Sequence, residues 1–286
     1  MSQSSTKVIV FGAAGAVGRA AAFEAQKRGA QVILAMRDTK KTIPGLTPDI
    51  EQNRGFTRIK ADLSDPRSIE NAVSQSGATF AFTYIVPRAQ DGMRATFDAM
   101  KNAGISYIIL LSSYLLYAYP DAKTAVTGTN AIAALHAKEA EGVERGELCL
   151  LRPDTICDYI APEDIGSVCG AKLIEPHSAN DPQILPLCGP ELLSQREAWR
   201  IVSQELGRDI TIKEIDVDEF LTRQHERGLP RDIAQALADY QQQDPAFRYS
   251  GKRYKEASTN IARHSGREPT KFPAWIKAHK NELFGA

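Results

Sequence analysis

Val8-Ile9-Val10-Phe11-Gly12-Ala13-Ala14-Gly15-Ala16-Val17-Gly18-Arg19 is the stretch whose reading decides the fold. Four consecutive apolar residues read as a buried strand that runs directly into a glycine-rich turn and then into an alanine-rich helix ending at Gly29. Glycines at 12 and 15 permit backbone angles and a close approach that a Cβ would block. The helix that follows points its unpaired N–H groups and positive dipole end at the turn, which suits a bound pyrophosphate. Gly18 lets that helix lie tightly on the strand. A second apolar run, Gln31 to Met36, completes a βαβ unit, and this order of elements is what lifts a glycine triplet above coincidence. Gly12, Ala14, Gly15, Ala16, Val17 and Gly18 are therefore expected to line a dinucleotide site.

Outward from this unit, apolar strand-like runs alternate with helical stretches, the pattern of a doubly wound parallel sheet. Strands are expected over 55–63, 78–86, 105–111 and 148–152. Ser64-Asp65-Pro66 reads as a helix cap with proline in the first turn, ahead of an inward stripe of Ile69, Ala72 and Val73. Further helices are expected over 91–102 and 130–145. From about residue 156 the pattern turns irregular and helix-rich, with prolines at 162, 176, 182, 186 and 190. Ser194-x-x-Glu197 and Asp216-x-x-Glu219 open two of its helices by capping-box spacing, with a short strand at 211–215 between them. The expected division is a Rossmann-type NAD(P)-binding domain over 1–155 and a smaller, helix-rich substrate lobe over 156–286, with strands shared between the two as the alternative.

The spacing Gly-x-x-Gly-x-x-Gly points toward the short-chain dehydrogenase/reductase superfamily. Arg37-Asp38, Ala61-Asp62-Leu63, Leu110-Leu111-Ser112-Ser113, Lys138 with Glu139 and Glu141, and Leu150-Leu151-Arg152-Pro153 narrow it further. So do Ile160-Ala161-Pro162-Glu163-Asp164-Ile165, Ser265-Gly266-Arg267 and Phe272-Pro273-Ala274-Trp275. Along most of its length the chain resembles the NmrA-like, atypical branch of that superfamily. An acidic residue after the second strand would bind the ribose 2′-hydroxyl of NAD, and an arginine the 2′-phosphate of NADP. The chain offers Arg37 first, then Asp38, with Lys40 and Lys41 nearby. In the family an arginine here serves NADP, so NADP is the expected cofactor; the competing reading pairs Arg37 with Asp38 on the surface. The resemblance also implies Asp62 near the adenine, with a plain alternative as a turn former, and Leu63 and Pro153 in the cofactor set. Tyr84 and Pro87, after the fourth strand, are expected to line the crevice.

Reductases of this superfamily hold a Tyr-x-x-x-Lys pair on one helix face, where the lysine lowers the phenol's pKa and binds the nicotinamide ribose, with a serine after the fifth strand. Ser112 and Lys138 are present, but Ala134 stands where the tyrosine belongs. Tyr119-Pro120-Asp121-Ala122-Lys123 matches the pattern literally, yet Pro120 opposes a continuous helix. Tyr114, Tyr117 and Tyr119 lie just past strand five, where ligands of open α/β sheets bind; Tyr114 is the preferred proton donor, with packing between the lobes as its plain alternative. His136 falls on another face from Lys138, and Asp154 reads as a turn residue.

The chain has 286 residues, with 35 basic and 35 acidic side chains. Balanced charge without a basic block lends nucleic acid and anionic membrane no support. No apolar run approaches a membrane span, Met1 to Thr6 is polar, and a cytoplasmic location is expected. Cys149, Cys157, Cys169 and Cys188 lack metal-like spacing and read as ordinary buried thiols, with no metal expected. Two functional readings follow: an NADPH-dependent reductase of a small organic metabolite, or a non-catalytic NADP-binding redox sensor acting on a protein partner. An isomerase or cyclase on the same scaffold is a third.

Overall fold

Five short runs rich in Val, Ile, Leu, Phe and Ala build the central sheet of the computed structural model, which describes residues 6–86, 89–113, 140–175, 184–242 and 249–285. β1 (Lys7–Phe11), β2 (Gln31–Met36), β3 (Phe56–Lys60), β4 (Phe80–Tyr84) and β5 (Tyr107–Leu111) lie in the order β3-β2-β1-β4-β5. All four pairings are parallel, from Lys7 opposite Gln31 through Tyr84 opposite Leu111. This is the Rossmann-like order expected of a chain that steps one way from β1 and then the other. Val8, Ile9 and Val10 are fully buried, because both faces of a parallel sheet are covered by helices.

Helices α1 (Ala16–Lys27), α2 (Pro48–Asn53), α3 (Pro66–Ser76) and α4 (Arg94–Asn102) connect these strands. The expected cap at 64–66 is present: the Asp65 carboxylate accepts the Arg67 N–H, and Pro66 opens α3. Helix α4 begins three residues later than expected, since Asp91 stays outside it and accepts from the Met93 and Ala95 N–H groups at 3.0 and 2.8 Å. Two cores flank the sheet. One holds Val8, Val10, Ala21, Ala25, Leu34 and Leu173; the other holds Ile9, Phe11, Ile69, Val73 and Met100.

Contacts divide the chain into two compact units, each assembled from separated segments. The first comprises 1–112, 162–183 and 261–267; the second comprises 113–161, 184–260 and 268–286. A single cut at 155/156 does not describe this. Within the second unit, α5 (Ala140–Arg145) leads into β6 (Glu147–Leu151), and β7 (Ile156–Asp158) follows. Helix α6 (Pro162–Ile174) belongs to the first unit because two of its glycines lie on α1: a Cβ at Gly170 would fall 2.5 Å from the Ala21 carbonyl oxygen, and one at Gly166 2.6 Å from that of Val17. The expected sixth strand pairs elsewhere than anticipated. Among the described residues β6 runs parallel to β9 (Thr211–Ile215) in a two-stranded sheet, with Leu148 opposite Ile212.

The remaining elements of the second unit include β8 (Leu192–Ser194), antiparallel to β7, and α7 (Gln195–Leu206), opened by the expected box in which Ser194 and Glu197 cap each other. Helix α8 (Val217–Glu226) starts at Asp216, which accepts the Glu219 N–H at 2.8 Å. Helices α9 (Arg231–Gln242) and α11 (Phe272–Phe284) complete the unit, and α10 (Gly251–Ser265) passes from it into the first. Leu148, Trp199, Phe272, Trp275 and Ile276 form its core, with the Tyr159 and Phe272 rings 4.6 Å apart.

Candidate functional site

Gly12, Arg37, Tyr84 and Ser112, four of the expected cofactor residues, stand at or just past the carboxyl ends of β1, β2, β4 and β5. β1 ends on Gly12, whose φ of 72° is a left-handed conformation open to glycine at little cost. Its N–H donates to the Ala35 carbonyl at 3.1 Å, and its own carbonyl accepts the Gly15 N–H at 2.9 Å, closing the turn. Gly15 has an ordinary φ of −82° and is the N-cap of α1, with no side chain capping the helix. The first-turn N–H groups at Ala16, Val17 and Gly18 therefore have no side-chain cap, the arrangement of a helix N-terminus that an anion can satisfy. Gly18 is buried under the turn: a Cβ there would lie 2.5 Å from the Gly12 oxygen. Ala14 is half-buried beside Ala13, which is fully buried.

α6 fixes α1 from behind. Besides the glycine contacts, Arg19 pairs with Glu163 at 3.7 Å, so the helix that carries the cradle is held along its length. At its far end Arg28 bonds Glu24 at 2.8 Å and donates to the Ser265 carbonyl at 3.0 Å.

Arg37 follows β2 and is exposed. It does not pair with Asp38, whose carboxylate instead accepts the Lys40 N–H at 2.9 Å and whose carbonyl accepts the Lys41 N–H at 3.3 Å. That Asx turn leaves Arg37, Lys40 and Lys41 without a hydrogen bond from their charged groups to any described residue. Asp62, beyond β3, is both a turn former and a partner of this end of the sheet. The Ser64 hydroxyl and N–H donate to it at 2.7 and 3.0 Å. Those bonds hold its carboxyl below the usual range, and the attraction of Arg37 lowers it further. Leu63 packs into the core, and its carbonyl accepts the Thr96 hydroxyl at 3.0 Å.

Tyr84, the last residue of β4, lays its ring over the turn: a Cβ on Gly12 would fall 2.5 Å from the Tyr84 ring carbon Cε1. The ring remains 38% exposed, so it walls the cradle without being core. Ser112 is exposed one residue past β5. Pro153 belongs to the second unit, buried, with its carbonyl accepting the Arg196 N–H at 2.9 Å. Lys138, Tyr114, Tyr117, Tyr119, His136, Ala134 and Pro87 lie outside the described residues. Of the cysteines, Cys169 and Cys188 are buried and Cys149 and Cys157 half-buried; burial pushes the Cys169 thiol up to about 12. Among the described residues no helix is long and apolar enough to cross a membrane.

Sequence reading missed two features. Arg58 of β3 reaches Glu51 of α2 and the carbonyls of Thr39 and Lys41, an arrangement with no local spacing to announce it. In the second unit, a hollow of about 360 Å³ at the carboxyl end of β6 is lined by Arg152, Asp154, Thr155, Ile156 and Glu214. Arg152 sits there at φ 47°, uncommon for a residue with a side chain, and donates to the Gln242 carbonyl at 3.0 Å. Asp154 is more than a turn residue, because Arg196 grips its carboxylate through two bonds of 2.7 and 3.1 Å.

A turn that a Cβ would fill, an uncapped helix N-terminus and a cationic loop after β2 together fit a dinucleotide phosphate. The comparisons agree. The profile of the NAD(P)H-binding family matches residues 12–148. The nitrogen metabolite regulation-like protein bik4 of Gibberella fujikuroi is 31% identical over 95% of this chain and 96% of its own. Among solved structures, NmrA, a negative transcriptional regulator, superposes with a TM-score of 0.66 at 14% identity, covering 99% of this chain and 98% of its own. The Citrobacter sp. triphenylmethane reductase complexed with NADP(H) gives a TM-score of 0.64 at 13% identity, over 96% of this chain and 99% of its own. At those identities the structures speak for the shared fold, and the full-length relative speaks for descent: the chain belongs to the NmrA-like family of NAD(P)H-binding proteins.

Proposed function

We propose that the chain is an NADPH-dependent reductase of a small organic molecule. The observation that carries this reading is the cradle at the end of β1, a close-packed glycine turn and an uncapped helix N-terminus, in the same unit as the exposed Arg37, Lys40 and Lys41 after β2. Within the second unit, the hollow of about 360 Å³ past the end of β6 has a volume that suits a small ligand. Ile156, 39% exposed, offers it an apolar wall. Arg152 offers the guanidinium N–H groups that the Gln242 carbonyl does not use, which suits a ligand bearing an acceptor oxygen or nitrogen.

When bound, NADPH supplies a hydride to an electrophilic atom of the substrate. In this reading the chain's own residues do the rest. Gly12, Gly15 and the α1 N-terminus hold the pyrophosphate, and Arg37 with Lys40 and Lys41 holds the 2′-phosphate, which selects NADPH over NADH. Ser112 orients the substrate acceptor, and Tyr114 donates the proton that balances the hydride and regains it from water. Lys138 binds the nicotinamide ribose and stabilises the phenolate left behind.

The test is NADPH oxidation against a panel of triphenylmethane dyes, quinones and carbonyl compounds, with Tyr114, Tyr117 and Tyr119 replaced singly by Phe. Loss of the donor should lower turnover by about 10²- to 10⁴-fold with cofactor affinity kept. Parent rates in all three variants would remove the tyrosine acid.

A second reading rests on Ala134, where the superfamily's tyrosine is missing, and on the regulatory name of the 31% identical relative. It makes the chain an NADP-binding sensor whose protein partner distinguishes the oxidised and reduced forms. That reading takes over if no compound consumes NADPH and a partner binds one redox form more tightly.

A further inference from the structure

We propose that Arg58 is a positioning residue for cofactor choice, holding the loop after β2 in the shape that presents Arg37, Lys40 and Lys41 to a 2′-phosphate. The inference rests on the NADPH preference proposed above. Arg58 stands on the edge strand β3, opposite Leu34 of β2. One side of its guanidinium makes a bidentate pair with Glu51, Nε to Oε1 at 2.6 Å and Nη2 to Oε2 at 2.9 Å. Its Nη1 donates to the Thr39 and Lys41 carbonyls, both at 2.8 Å.

These bonds say what Arg58 does and what it does not do. Its charge is matched by Glu51, so it is not itself the phosphate ligand. What it contributes is geometry: two carbonyls of one short loop are tied to one rigid fork. The Asp38 side chain closes the same loop from within through the Lys40 N–H. Between these two restraints the backbone of 38–41 is held before any ligand arrives. Arg37, Lys40 and Lys41 are the exposed cations that this loop carries. Exposed, flexible cations bind a phosphate weakly because each must be ordered on binding; a loop ordered beforehand avoids that loss. Only arginine has the planar fork to bridge a carboxylate and two carbonyls at once; a lysine keeps the charge and loses the bridge.

The experiment measures NADPH and NADH dissociation constants by calorimetry for the parent, Arg58→Lys, Arg58→Gln, Glu51→Gln and Arg37→Ala. Amide hydrogen exchange over residues 38–42 is followed in the cofactor-free proteins. Both Arg58 variants should weaken NADPH about tenfold and leave NADH within about twofold, with faster exchange across the loop. Glu51→Gln should do the same to a smaller degree, and it keeps the test open if the Arg58 variants fold poorly. Parent NADPH affinity in Arg58→Lys would show that only charge matters and would overturn the inference. So would equal weakening of both cofactors, which marks a general structural role. If Arg37→Ala collapses the NADPH preference while the position 58 variants keep it, the cofactor reading stands and this inference alone falls. If Arg37→Ala leaves the preference untouched, no phosphate site follows β2 and both fall.

Discussion

Gly15→Ala should separate two reasons for a glycine that the sequence motif cannot separate. The φ of Gly15 is −82°, so alanine adopts it without strain, and a Cβ there would meet only the Gly12 carbonyl oxygen, at 3.3 Å. Alanine is a poorer N-cap than glycine by a few tenths to about 1 kcal/mol, while removing a glycine from the unfolded chain returns about 0.4 to 1 kcal/mol. The net change in stability should therefore stay within about 1 kcal/mol of zero. In the proposed reading the new methyl instead stands where a pyrophosphate approaches the helix N-terminus. Crowding by one methyl costs about 1 to 3 kcal/mol, which corresponds to about a five- to hundredfold weaker affinity for NADPH and NADH alike. Gly18→Ala should behave oppositely. Its Cβ would sit 2.5 Å from the Gly12 oxygen and 3.0 Å from the Gly12 carbon, both backbone atoms that cannot swing aside, so the protein itself should lose about 1 to 3 kcal/mol. Urea denaturation and calorimetric titration on the two variants read the two quantities. Parent affinity for both cofactors in Gly15→Ala would place the dinucleotide elsewhere, and unchanged stability in Gly18→Ala would refute the packing argument.

Arg37→Ala should weaken NADPH about ten- to hundredfold, from the loss of charge-assisted bonds of about 1.5 to 3 kcal/mol, and barely move NADH. Because Arg37 makes no hydrogen bond to a described residue and only attracts the Asp62 carboxylate, its removal should move the urea midpoint little; equal loss for both cofactors would refute the assignment. Gly170→Ala should destabilise the protein by about 1 to 3 kcal/mol, since its Cβ would press within 2.5 Å of the Ala21 carbonyl oxygen and drive α6 off α1. A thermal melt at the parent temperature would contradict that. The Ser194 N–H and hydroxyl, donating to Glu197, hold its carboxyl below the usual range. A depressed carboxylate stabilises the fold above the ordinary glutamate value of about 4.3 and loses that contribution as pH falls through the folded value. Glu197→Gln should therefore narrow the difference in stability between neutral pH and pH of about 3, read by urea unfolding at both.

The βαβ unit and its ligand were legible in the sequence because they are local. A strand, three glycines and a helix within twelve residues impose their own geometry, and Arg37 sits at a position set by the end of β2. The caps at Asp65, Ser194 and Asp216 were readable for the same reason: each satisfies N–H groups within three residues of itself. Other features depended on residues far apart in the chain. That α6 leaves the C-terminal lobe for α1 follows from Gly166 and Gly170 meeting a helix some 145 residues earlier, a close approach that their own neighbourhood, broken by prolines, concealed. β6 read correctly as a strand, but its partner β9 depends on which edge it reaches, and strand pairing is not written in a strand's own alternation. Asp154 looked like a turn residue until Arg196 was brought against it. The loop after β2 shows the division most plainly. Its cations are a feature of sequence, whereas the shape that presents them comes from Arg58 and Glu51, because a guanidinium can bind whichever carbonyls the fold delivers to it and only the tertiary structure decides which those are.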